Sequence, residues 1–384
     1  MGQKGFLHER NETSFISGTK TILCSLVLIS HFYNYIGGKQ VVGIPMVGAF
    51  GGRAVDVFFF LSGFLTVFAY IKKNKRSERK TFIIKRWFRL YPVYFICITC
   101  AFCITNIMTS VQSSVLIFLN GSTIGAFGYN YLPQKNLPGM MDLFSHWLLL
   151  HGTIIKPYGG TILGPAWSLS VEWLFYIFMA IAFILYFSAE RLLSKKGILF
   201  VYSVYFGSIV EGMVLLIQNK TDDMQGFLRN FPVFLLGVII AQYYHRKQLN
   251  WKNVIIISIG VIYLFLLCPI QNWTSAGMIV LIIILLFCNY SQFFFLKNPM
   301  KVLSSKVMKE LSELSYAIYL VHMLVMPFAF TVAIKIGIMY SLNKQVILVI
   351  AAVLFLIFVL VVAFFLNRCI EKPAMRIYKK IFTS

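Results

Sequence analysis

His31, Glu172 and Asp56 are the residues whose type and setting ask for a chemical explanation. His31 lies well inside the apolar stretch TILCSLVLISHFYNYI, eleven positions after Lys20. Three helical turns put the two at different membrane depths, roughly 16 Å apart along the axis. A charged side chain at the centre of a membrane helix costs about 2.5–3.5 kcal/mol on insertion scales, so an ionisable group placed there needs a reason. Glu172 sits one and a half turns into GPAWSLSVEWLFY, close to Trp167, Ser168 and Ser170. It is expected to pair with His31, to accept hydrogen bonds, or to stay protonated in a cavity. Asp56 lies near the outer end of GGRAVDVFFFLSGFLTVFAYIKK, where it either bonds a neighbouring helix or orients His31. A histidine held by a carboxylate is a good general base for a hydroxyl. Packing is the competing reading for a lone histidine, and a second and third ionisable group at similar depth favour chemistry.

Two further clusters have useful spacing. Arg86 and Arg89 in KRWFRLYP are three apart and share one helix face at the cytoplasmic mouth of the third span. Guanidinium forks suit phosphate oxygens, so this face fits a phosphorylated cytoplasmic ligand; anchoring to lipid headgroups explains the same spacing. Tyr316, Tyr319 and His322 in LSYAIYLVHMLVM also recur at three. They line the bundle interior or contact another helix, and spacing alone leaves both open. Ser62-Gly63 reads as helix packing, because small residues let backbones approach closely. Cys97, Cys100 and Cys103 read as small buried hydrophobes rather than a metal or redox motif.

These residues need helices to hold them. Of the 384 residues 59% are hydrophobic and only 12% are charged, half the charge of an ordinary soluble domain. Apolar runs of spanning length recur along the chain. Ten windows are expected to cross: 20–36, 54–72, 87–108, 166–187, 197–217, 228–244, 253–270, 276–296, 313–338 and 345–367. The fold class is therefore all-α, one polytopic membrane domain over 1–384. With the N-terminus cytoplasmic, both termini lie inside. All but Lys39, Arg53, Lys135, Lys156, Lys220, Arg229, Lys335 and Lys344 of the 35 Lys and Arg then fall on the cytoplasmic side. Topology thus absorbs the net charge of +22, and nucleic acid is not a needed partner. The first span is expected to be retained rather than cleaved as a signal peptide.

The segment 73–86 reads as a basic cytoplasmic loop. The segment 109–165 is the long outer connection, and MDLFSHWLLLHGTII within it is too short to span comfortably. It is expected to form a re-entrant or surface helix. Tyr129, Tyr131, Trp147 and Tyr158 are either stacking platforms for sugar rings or an interfacial aromatic belt. Asn120-Gly121-Ser122 fits a glycosylation acceptor, which matters only in a eukaryotic secretory route. NRCIEKPAMRIYKK reads as an interfacial amphipathic end.

Seven of these stretches, in this order, resemble the acyltransferase-3 family of integral membrane acyltransferases over essentially the full chain. They are Lys20 with His31 at basic-x10-His spacing, VDVFFFLSGFL, KRWFRLYP, PAWSLSVEWLFY, RNFPVFLLGVIIA, LSYAIYLVHM and IEKPAM. The resemblance implies an acyl-CoA donor, usually acetyl-CoA, no metal, and an acceptor hydroxyl, commonly on a surface or exported glycan. It implies His31 as the essential histidine and Lys20, Arg86 and Arg89 as functional basic residues. Glu172 and Asp56 are the candidate carboxylates beside it, and Trp167, Ser168, Tyr319 and His322 the candidate substrate-binding set. A bacterial cytoplasmic membrane and polysaccharide-assembly partners follow from the same likeness. The chain departs from the family at Ser17, where an aspartate is frequent, and at Trp173, where a second acidic or polar residue is common. The rival reading is a secondary transporter using His31 and Glu172, which usually carries repeats with matching Gly/Pro-broken helices; no such pair is evident in the two halves.

Overall fold

A segment immersed in hydrocarbon has no water for its backbone amides, so a chain this apolar closes its hydrogen bonds within helices. The computed structural model describes residues 14–38, 44, 46–73, 76–104, 107, 138–151, 153, 162–185, 194–217, 225–246, 251–267, 273–291 and 297–382. Among these the regular elements are helical: α1 (Phe15–Tyr35), α2 (Met46–Lys73), α3 (Arg76–Cys103), α4 (Met140–Trp147), α5 (Ala166–Leu185), α6 (Lys195–Ile217) and α7 (Gln225–Arg246). They continue with α8 (Trp251–Leu267), α9 (Trp273–Ser291), α10 (Lys297–Leu303), α11 (Lys306–Met339), α12 (Lys344–Leu366), a π-helical turn (Asn367–Glu371) and α13 (Lys372–Phe382). Six helices among the described residues are long and apolar enough to cross a bilayer: α1, α2, α5, α6, α11, and α12 with its continuation.

Three boundaries differ from expectation. The basic stretch before the third span is mostly helix, since α3 begins at Arg76; Arg, Lys and Glu are good helix formers even where polarity suggests a loop. α2 begins at Met46 and runs through Gly51-Gly52. Among the described residues, the segment 109–165 forms the eight-residue α4, which exposes Met141 and Phe144, with Leu148 just beyond it, and buries Asp142, Ser145 and His146. Tyr129, Tyr131, Tyr158 and Asn120-Gly121-Ser122 lie outside the described residues. Cys97 is buried as a small hydrophobe, whereas Cys100 and Cys103 are exposed, because an i, i+3, i+6 series drifts off the buried face of α3.

The chain divides into two units. The first comprises Met1–Leu23, Gly52–Ile84 and Val171–Ser312. Its centre is a backbone contact between α2 and α7. A side chain added at Gly63 would run into the Phe234 carbonyl, and one at Gly237 into the Phe60 carbonyl. Phe175 fills the space beside this crossing, with ring centroids 4.8 Å from Phe234 and 5.4 Å from Phe59.

The second unit comprises Cys24–Gly51, Lys85–Ser170 and Glu313–Ser384. Phe32 packs between Phe330 at 5.5 Å and Phe355 at 5.7 Å. α12 contributes one inward stripe at helical spacing, Ile347, Ala351, Phe355, Val359 and Ala363, and exposes most of its other apolar residues. That pattern fits a helix with lipid on the remaining faces. The helix then loosens into the π turn, where the Lys372 N–H bonds the Asn367 carbonyl five residues back. Pro373 explains the loosening, since it has no N–H to offer the Cys369 carbonyl. Asn367 Nδ2 holds Glu371 at 2.9 Å and the Glu313 carbonyl at 3.1 Å, and Lys372 pairs with Glu313 at 3.0 Å.

Candidate active site

His31 is half-buried near the C-terminal end of α1, and the ring of His322 lies 5.0 Å from its own at a 49° tilt. Both residues belong to the second unit. His322 is fully buried. Its Nδ1 donates to the Tyr319 carbonyl at 2.8 Å, which leaves Nε2 as the bare lone pair of a neutral ring. That Nε2 has no hydrogen-bond partner among the described residues. A buried acceptor left open is uncommon enough in native proteins to call for a functional account.

The stripe that carries His322 meets a different element at each step. Tyr316 donates to the Leu90 carbonyl of α3 at 2.6 Å. Tyr319 donates to the Pro165 carbonyl at 3.1 Å and its oxygen lies 2.8 Å from Ser168 Oγ, at the start of α5. Ser168 also donates to Pro165 at 3.1 Å. Three-residue spacing thus serves interior lining and helix contact together, the two options the sequence left open. Trp167 is half-buried in the same turn.

The neighbouring end of α1 is pinned to the start of α2. Ser30 Oγ and Asn34 Nδ2 both donate to the Gly48 carbonyl, at 2.7 and 3.0 Å, and Tyr33 donates to Ile44 at 2.7 Å. Gly51 makes this approach possible: a methyl there would sit 2.9 Å from Ser30 Oγ and 3.8 Å from His31 Cδ2. The Gly-Gly pair at 51–52 was the available signal, and its link to His31 needed the tertiary contact.

The carboxylates have partners of their own in the first unit. Glu172 accepts from Ser62 Oγ at 2.7 Å and from Tyr176, one turn further along α5. Glu172 thus accepts hydrogen bonds, one of the fates expected for it. Asp56 is buried, accepts from Ser275 Oγ at 2.9 Å and lies 4.0 Å from the buried guanidinium of Arg53. Ser62, read as packing, supplies a hydroxyl to this network while Gly63 does the packing. Lys20 is half-buried and also lies in the first unit.

On α3, Arg86 is half-buried and Arg89 exposed. Arg89 and Lys372 both act electrostatically on Glu371 of the π turn. Phe88, between the two arginines, packs against Tyr378 of α13 at 5.9 Å. Trp147, read as either a sugar platform or part of an interfacial belt, donates to Thr99 at 3.1 Å and packs on Phe95 at 5.1 Å. Sequence reading passed over His146 and His151, whose rings stack at 3.8 Å.

The comparisons with known proteins agree with this architecture. A family model described as an acyltransferase domain, that of acyltransferase-3, matches residues 13–368. Nodulation protein 10 of Rhizobium leguminosarum bv. viciae is 25% identical over 241 residues, which cover 57% of each chain. The chain thus spans little more than half the length of that relative. No solved structure matches. The apolar helices and the near-complete family match identify an integral membrane protein, and the chain belongs to the acyltransferase-3 family of integral membrane acyltransferases.

Proposed function

We propose that this chain is a membrane O-acyltransferase that moves an acyl group, in the first instance acetyl, from cytoplasmic acyl-CoA to a hydroxyl of a surface or exported glycan. The observation that carries the reading is the His31–His322 pair, with the open Nε2 of His322 beside a half-buried His31. Membership of the family supports the reaction class. All ten apolar windows cross the bilayer in this reading, with both termini cytoplasmic in a bacterial inner membrane.

The donor's phosphates rest on Arg86 and Arg89, whose half-buried and exposed guanidinium groups suit a polyanion arriving from water. Lys20 is the third basic residue that the family likeness ties to function. The acceptor hydroxyl enters near the turn that holds Trp167 and Ser168, with Tyr319 beside it. His31 removes the hydroxyl proton as the oxygen bonds to the acyl carbon, and the carbon–sulfur bond breaks. The His31 imidazolium then returns the proton to the departing thiolate, which leaves as free CoA thiol. His322 Nε2 accepts the other ring N–H of that imidazolium, the place a carboxylate takes in a triad. Glu172 and Asp56, expected to orient His31, act in this reading by holding the first unit together.

Mass spectrometry of surface glycans tests the proposal in cells that express the wild type or His31→Ala at equal level. Acetyl groups present with the wild type and lost with His31→Ala are expected; full retention in the variant overturns the scheme. In purified protein, Arg86→Ala and Arg89→Ala should each weaken acetyl-CoA binding roughly tenfold or more, the worth of a charge-assisted hydrogen bond. Unchanged affinity in both would move the donor elsewhere.

A further inference from the structure

The stacked pair His146–His151 lies outside the chemistry above and is built at some cost. α4 ends at Trp147, and Leu149 then takes a left-handed backbone with φ of 57°. Leucine is strained there, and such strain persists only where surrounding structure enforces it. The reversal brings His151 back over His146, with rings 3.8 Å apart and 13° from parallel, and both side chains fully buried. The His151 N–H closes the turn on the Ser145 carbonyl at 3.2 Å.

The bonds of His146 fix its protonation state. Nδ1 donates to the Asp142 carbonyl at 2.6 Å, and Nε2 accepts the backbone N–H of Ile162 at 3.3 Å. The ring is therefore neutral, with both nitrogens used. Two neighbours clamp the pair from outside. Tyr94 of α3 donates to the His146 carbonyl at 2.8 Å, and Ser170 of α5 donates to the His151 carbonyl at 2.5 Å. Burial, opposed by Asp142, holds the pKa of His146 below its ordinary value; burial, then the adjacent His146, holds His151 down to about 3.

What the pair holds is the turn leading into α5. Ile162 opens a short run in which the Ala166 N–H bonds the Leu163 carbonyl at 3.0 Å. Three residues after Ile162 stands Pro165, whose carbonyl receives both Tyr319 and Ser168. We propose that His146, locked by the stack with His151, is a positioning residue: it grips Ile162 so that Pro165 and Ser168 meet Tyr319, and so aligns the acceptor hydroxyl. This inference rests on the proposed acyl transfer for the role of that turn in chemistry. The grip itself does not depend on that reading.

The test uses the full chain in lipid nanodiscs with two variants. His146→Leu fills the space without an acceptor, and His146→Gln offers its side-chain oxygen to Ile162. Hydrogen exchange of residues 162–170 should accelerate in the Leu variant and return toward wild type in the Gln variant. In acetyl transfer from acetyl-CoA, the Leu variant should lose on the order of 10²-fold in kcat/KM for the acceptor, the scale of a small misplacement. The KM for acetyl-CoA should stay unchanged, and Gln should recover most of the loss. Unaltered exchange in His146→Leu overturns the grip. Faster exchange with unchanged acceptor kinetics overturns the positioning role. Equal losses in Leu and Gln, or a parallel rise in the KM for acetyl-CoA, mark a merely structural residue and also overturn it. A wild type that transfers no acetyl group refutes the proposed function, and the exchange arm still decides the grip.

Discussion

Two carboxylates of the first unit and two buried histidines of the second handle their polar atoms in opposite ways. In the first unit Glu172 is answered by Ser62 and Tyr176, and Asp56 by Ser275 and Arg53. In the second, His322 and His151 each keep a buried Nε2 with no partner among the described residues. A satisfied buried network fixes one packing arrangement, and dismantling it is expensive. An open, basic nitrogen contributes nothing to holding helices together but can accept a proton or a substrate hydrogen. The proposed function accordingly gives the scaffold to the carboxylates and the chemistry to His31 with His322.

The largest expected effect falls on the scaffold side. Asp56→Ala removes the carboxylate that faces the buried Arg53 guanidinium, and breaking a buried pair in this way costs about 3–5 kcal/mol. The thermal midpoint in detergent should fall steeply, while protein that remains folded keeps its acetyl-transfer rate. A folded but inactive Asp56→Ala would break the contrast by giving the carboxylate a catalytic part. On the chemical side, His322→Phe keeps a ring and removes the open nitrogen. The Nδ1 bond to the Tyr319 carbonyl is lost, about 1 kcal/mol, so the midpoint should move little. Transfer should nevertheless drop on the order of 10²-fold, the usual contribution of a positioned proton-transfer group. A stability loss with normal kcat would return His322 to the scaffold.

Much of this was visible in the residues, and the reasons for the rest are specific. The apolar windows foretold helices because hydropathy reads burial in lipid directly. The Tyr316–Tyr319–His322 stripe was legible as a face. The carboxylate partners were within reach of sequence too, since Tyr176 stands four residues after Glu172 and Arg53 three before Asp56. Those are same-face helical spacings, and the search for a distant histidine partner overlooked them. His31 and His322 could not be paired in advance, because 291 positions separate them and periodicity carries no tertiary information. The His146–His151 stack was hidden for a different cause. Five positions is not a helical repeat, and their meeting depends on a left-handed leucine that no propensity would place there.

The smallest predicted effect sharpens the contrast through pH. An unfolded histidine titrates near 6.5, whereas the folded state holds His151 down to about 3. Between those values the unfolded chain binds a proton that the folded chain refuses. Stability is therefore greatest above pH 6.5 and declines as the pH falls toward 3. The slope approaches about 1.4 kcal/mol per pH unit for each such group. His146 contributes with the same sign, since burial lowers its pKa too. His151→Phe keeps the stacked ring and removes the titration, so its thermal midpoint should fall less between pH 6.5 and 4.5 than that of the wild type. The difference between the two curves isolates this histidine from every other group that titrates over the same range. Parallel curves would mean that His151 accepts its proton without loss, and its open nitrogen would then be no sign of a site built for the neutral ring.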